Sequence, residues 1–168
     1  THGDEFDGPE AIRRFWHAIS PRQVRGSIAL IPALNLPAYL AATRNNPADG
    51  VDMSGVWREG VTDSTTSRIA KRLMESVLPH VSARLDMHGG GDIFNIARLV
   101  MFTRPKDDAL RARYLSLAKS VGINLVWQFP TPATEENYFI RNGIVSIGVE
   151  IGGEARLDEV AVRDNLTA

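Results

Sequence analysis

The stretch over 143–151, Gly-Ile-Val-Ser-Ile-Gly-Val-Glu-Ile, constrains the fold most. It is apolar almost without interruption rather than alternating, so a strand made of it must be covered on both faces, and Gly152 and Gly153 follow at once to end it. Comparable strand-length runs lie at 26–34, 81–87, 96–102 and 123–128. Helical spacing appears between them at 10–19, 68–78, 107–121, 135–142 and 157–168, with Gly122 stopping the third of these. Strands alternating with helices predict an α/β fold, a mostly parallel or mixed twisted sheet with helices on both faces. In such sheets ligands bind beyond the carboxyl ends of the strands.

The first helical pattern has Pro9 in its opening turn and places Ile12, Phe15, Trp16 and Ile19 on one face. His17 reads as an ordinary surface or half-buried histidine. From 35 to 63 periodicity is lost among turn formers such as Asn35, Pro37, Asn45-Asn46-Pro47, Asp49-Gly50 and Gly60. A loop of that length is usually functional or disordered. Leu36, Tyr39, Leu40, Val51, Met53, Val56 and Trp57 supply apolar anchors along it and favour the first alternative. The hydroxyls and carboxylate over 63–67 then offer N-caps for the next helix. No repeat or linker divides the chain, so one domain is expected over 1–168.

Composition narrows the function. Nineteen basic and twenty acidic side chains leave a formal charge of −1, with no field of one sign to suit nucleic acid or an acidic membrane surface. Cysteine is absent, which removes disulfides and thiolate metal sites and leaves His, Asp and Glu as metal ligands. A cytoplasmic setting is expected, and neither a membrane span nor an export leader is visible.

His2-Gly3-Asp4-Glu5 puts an imidazole and a carboxylate three residues apart, a spacing that suits two ligands of one zinc ion. A third ligand is available in His88, where an apolar run opens into Gly89-Gly90-Gly91. The simpler reading of His2 and Glu5 is a solvated histidine beside a helix N-terminal acid. Glu150 is harder to explain, because a carboxylate in an apolar strand is costly to bury unpaired. It would serve as a general base for a zinc-activated water, or pair with an arginine near the sheet edge.

Five stretches in order, His2-Gly3-Asp4-Glu5, Asn35-x-Pro37-Ala38, Thr43-Arg44-x-Asn46-Pro47-x-Asp49-Gly50-x-Asp52, Asp86-x-His88-Gly89-Gly90 and Val149-Glu150-x-Gly152-Gly153, resemble the motifs of the succinylglutamate desuccinylase and aspartoacylase family. These are zinc-dependent amide hydrolases related in fold to the zinc carboxypeptidases. The resemblance implies one zinc per chain held by His2, Glu5 and His88, with Glu150 as proton shuttle. It also implies Arg44 as the oxyanion-stabilising cation and Asp52 as the partner of the outer His2 nitrogen. Asp86 would be a weaker case of the same, or a loop cap. The implied substrate is a small N-acylated amino acid or amine, with carboxypeptidase-type peptide hydrolysis or an inactive zinc-binding interaction module as alternatives. Homo-oligomerisation is compatible with this reading.

Two departures stand out. Where the family has an Asn-Arg pair that holds the substrate carboxylate, this chain has Ser54-Gly55, which leaves Asn45, Ser54 and Arg58 as substrate-binding candidates. A strand before the first motif and a β region after the last are also expected of relatives and are absent from these 168 residues.

Overall fold

Strand β4 (Val145–Gly153) is the centre of the molecule, flanked by strands on both sides in the order β1-β4-β2-β3. The others are β1 (Ala83–His88), β2 (Asn95–Thr103) and β3 (Val126–Phe129) in a computed structural model that describes residues 1–57, 63–130 and 134–168. β1 runs parallel to β4 and β3 parallel to β2, whereas β2 is antiparallel to β4. The sheet is therefore mixed, with a register irregularity between Ile96 and Leu99 on β2.

One face of β4 belongs to the main core, while Ser146, Gly148 and Glu150 alternate with it on the other face. Val145, Ile147, Val149 and Ile151 pack with Phe102, with Tyr114 and Ala118 of α4 (Asp108–Ser120) and with Ala161 of α6 (Glu159–Thr167). Ile144, the residue just ahead of β4, belongs to a second core with Met53, Val56, Trp57, Ala70 and Phe139. Phe139 comes from α5 (Thr134–Arg141) and Ala70 from α3 (Thr65–Ser76), whose N-cap Ser64 accepts from the Ser67 backbone. Helices thus cover both faces, as the pattern predicts. Among the described residues no helix is long and apolar enough to cross a membrane.

Four expectations need correction. The apolar run at 26–34 forms no strand; it crosses the surface as irregular chain with Ile28 exposed. Among the described residues β1 pairs only with β4, and a groove of about 570 Å³ separates its other edge from this segment, so the run has no strand to bond to. Trp16 is 67% exposed, because α1 (Asp7–Ala18) buries the face carrying Gly8 and Ala11 instead. In the long loop Met53, Val56 and Trp57 are core residues, but Leu36 and Leu40 face solvent on the short helix α2 (Leu36–Ala41). β3 also begins later than the apolar run at 123–128 suggests, since Ile123 is taken into the α4 core.

Candidate metal centre and active site

Glu5 sits just ahead of α1, and both of its oxygens are engaged by imidazoles. Oε1 lies 2.8 Å from Nδ1 of His2 and Oε2 lies 3.0 Å from Nδ1 of His88. All three side chains are buried. His88 arrives at the carboxyl end of β1, where a parallel strand delivers its last side chain to the loop layer. The loop carrying His2 is held against α2: the Gly3 amide donates to the Thr43 carbonyl at 3.1 Å, and a Cβ at Gly3 would come within 2.0 Å of the Ala38 carbonyl carbon. Only glycine permits that approach.

The outer nitrogens also meet carboxylates. His88 Nε2 is 2.8 Å from Asp86 Oδ2, and His2 Nε2 is 3.3 Å from Asp52 Oδ1, an ion-pair distance without hydrogen-bond alignment. Burial opposes charge on Glu5, yet the hydrogen bonds from His2 and His88 override it and hold its pKa at about 2. Burial likewise disfavours the His88 cation, but Asp86 and Glu5 raise its pKa well above the ordinary value. His2 is raised in the same way by Asp52 and Glu5 against its own desolvation. Protons therefore hold the trio together at a point where one divalent cation would satisfy all three groups. One donor atom from each of His2, Glu5 and His88 lies within 4.8 Å of the others, and two nitrogens with a carboxylate oxygen are a donor set that suits zinc.

Glu150 is the register partner of His88 across the parallel β1–β4 pair. Among the described residues its Oε2 is buried with no hydrogen-bond partner, and burial raises its pKa to about 7. Such a carboxyl is poised to exchange a proton near neutrality. No arginine neutralises it, which removes the ion-pair reading among the described residues.

Arg44 stands on the loop after α2, 52% exposed, with Nη2 3.3 Å from Asp52 Oδ2. Asp52 caps the short 3₁₀ turn Met53–Gly55, accepting from the Ser54 amide at 2.9 Å and the Ser54 hydroxyl at 2.8 Å. The contact with His2, followed by these Ser54 bonds, holds Asp52 far below the usual carboxylate range despite partial burial. The Ser54 hydroxyl thus supports Asp52, and Asn45 donates to the Gly50 carbonyl at 3.1 Å, so both candidates have partners within their own loop. Arg58 lies outside the described residues.

Sequence reasoning undervalued Asp86 and passed over Arg84 and Glu135. The Arg84 guanidinium reaches Asp86 at 2.5 Å and Glu135 at 2.6 Å. The available signal was the period-two row of polar residues, Arg84, Asp86 and His88, on a strand whose intervening residues are apolar.

Residues 1–167 match the succinylglutamate desuccinylase/aspartoacylase catalytic domain. The chain belongs to this family. Within and around it, the chain is similar to the N-alpha-acetyl-L-2,4-diaminobutyric acid deacetylase of Halomonas elongata, with 26% identity over 91% of this chain and 46% of the relative. A succinylglutamate desuccinylase/aspartoacylase from Rhodobacter sphaeroides superimposes with a TM-score of 0.89 at 32% identity, over 98% of this chain and 50% of that one. The product-bound ectoine utilization protein EutE (DoeB) of Ruegeria pomeroyi shares the fold, with a TM-score of 0.88 at 23% identity over 98% of this chain and 51% of that one. The family member described here spans about half the length of these relatives.

Proposed function

We propose that this chain is the catalytic part of a zinc-dependent deacylase that hydrolyses the amide bond of a small N-acylated amino acid or amine. The observation that carries this reading is the convergence of His2 and His88 Nδ1 on Glu5, beside a buried Glu150 oxygen that has no partner among the described residues. The deacetylase named among the relatives supports the choice of a linear N-acyl amide over a peptide.

His2, Glu5 and His88 would hold one zinc ion, which when bound acidifies a water and polarises the scissile carbonyl. Glu150 takes a proton from the attacking water and returns it to the departing amine, so water and amide become a carboxylic acid and an amine. Its pKa near 7 suits both directions of transfer. Arg44 offsets the negative charge that grows on the carbonyl oxygen during attack, and Asp52 orients both Arg44 and His2. An inactive zinc-binding module would need neither Arg44 nor Glu150.

The test is metal analysis of purified protein with a screen of N-acyl amino acids and N-acyl diamines for released amine. One zinc per chain, lost in His88→Ala, is expected. Full zinc occupancy in His88→Ala would overturn the ligand assignment.

A further inference from the structure

We propose that Arg84 is a positioning residue for the metal centre, acting through Asp86 on the tautomer and aim of His88. The proposal rests on the ligand assignment above and extends it to a side chain that touches neither metal nor substrate.

Arg84, Asp86 and His88 share one face of β1, and the chain of contacts along that face is continuous. Arg84 Nη2 donates to Asp86 Oδ2 and to Glu135 Oε1, and Nη1 donates to Ser146 Oγ at 3.1 Å. Its Cζ lies 4.6 Å from the Phe139 ring centroid and 5.7 Å from that of Trp57, and the side chain is only 16% exposed. A guanidinium so enclosed has one orientation. It keeps its charge at any pH of interest and presents a planar fork, so it holds a carboxylate in a defined direction. The oxygen it holds, Asp86 Oδ2, is the one that faces His88 Nε2, and Thr1 Oγ1 adds a third donor at 3.0 Å.

An acceptor fixed opposite Nε2 keeps the imidazole proton there, and the Nδ1 lone pair is then free to face the cation. Without that acceptor a neutral His88 can place its proton on Nδ1 and donate to Glu5 Oε2, which turns a hydrogen toward the metal position. Glu135 shares the same Nη2 with Asp86, from 51 residues away in sequence on the first turn of α5. The helix that packs under the sheet thereby sets the aim of a ligand at the strand end.

The experiment uses the full chain in four single variants, Arg84→Met, Arg84→Lys, Asp86→Asn and His88→Ala, each checked for native circular dichroism. Zinc affinity is measured by chelator competition, and the His88 tautomer by ¹⁵N NMR of the metal-free protein at a pH high enough to leave the ring neutral, since Asp86 and Glu5 favour its cation. Arg84→Met and Asp86→Asn are expected to bind zinc about 10–100-fold more weakly and to lose the pure Nε2–H form. Combining the two is expected to cost no more than the worse single change, and Arg84→Lys to recover part of the affinity. Parental affinity and an unchanged tautomer in folded Arg84→Met would overturn the proposal. Should Arg84→Met not fold, the same result in Asp86→Asn overturns it, since Asp86 is the necessary link. Loss of zinc in His88→Ala alongside such a result leaves the ligand assignment standing and removes only this inference.

Discussion

His88 and Glu150 stand side by side as register partners on two parallel strands, so a candidate ligand and a candidate proton carrier leave the sheet at the same level. Parallel pairing makes this arrangement rigid, because neither residue can shift along its strand without breaking the ladder.

Glu150→Gln separates binding from chemistry. The amide is nearly isosteric and takes up no proton, so zinc stoichiometry should stay at the parental level while turnover falls by about 10²–10⁴-fold. Metal content and kcat measured on the same preparation check this, and activity within a few-fold of the parent would remove Glu150 from its role.

The same carboxyl gives the metal-free protein a pH dependence. Burial raises its pKa from 4.5 to about 7 on folding, so between those values the native state keeps a proton that the unfolded chain has released. Stability from this group is full below 4.5 and declines as the pH rises through 7. Urea denaturation of metal-free protein across pH 4.5–8 should show a downward slope that is shallower in Glu150→Gln, and equal slopes would contradict the burial argument.

Arg44 and Asp52 are 3.3 Å apart yet should fail differently. Arg44→Ala is expected to lower kcat by roughly 10²–10³-fold with zinc retained, as for the loss of an oxyanion donor. Asp52→Ala should instead weaken zinc binding by about 10–100-fold, because it frees the outer nitrogen of His2. Identical effects on metal and turnover in the two variants would show that they act as one unit.

Gly55 lies where the family pattern has an arginine, and an added Cβ there meets no atom of the described residues within 4 Å. Gly55→Arg should therefore fold normally and lower KM for substrates with a free α-carboxylate relative to their amidated counterparts, through a bidentate contact the parent lacks. A parent that already prefers the free acid strongly would mean that another group recognises the carboxylate.

What could be read from the sequence was whatever local chemistry decides. The covered strand at 143–151, the Ser64 cap and the Gly122 stop (φ +75°) all follow from residue types and spacing. The spacing of His2 and Glu5 and the glycines after His88 marked the candidate metal centre for the same reason. The run at 26–34 was misread because its composition suits a strand, whereas pairing needs a neighbour that composition does not reveal. Arg84 was missed because its meaning lies in Glu135 and Phe139, which approach only once α5 has docked.

Glu5 and His88 are 83 residues apart in the chain and meet at 3.0 Å. An ion bound there, as proposed, would act as a reversible cross-link closing a loop of nearly half the molecule, one that only the folded chain can form. By mass action its binding energy becomes folding energy, growing as RT ln(1 + [Zn]/Kd) when metal binds the native state alone. With zinc as that ion, the melting temperature of this protein would read out the free zinc concentration around it, and chelation would loosen the joint between the opening loop and the sheet before any peptide bond or side chain is changed.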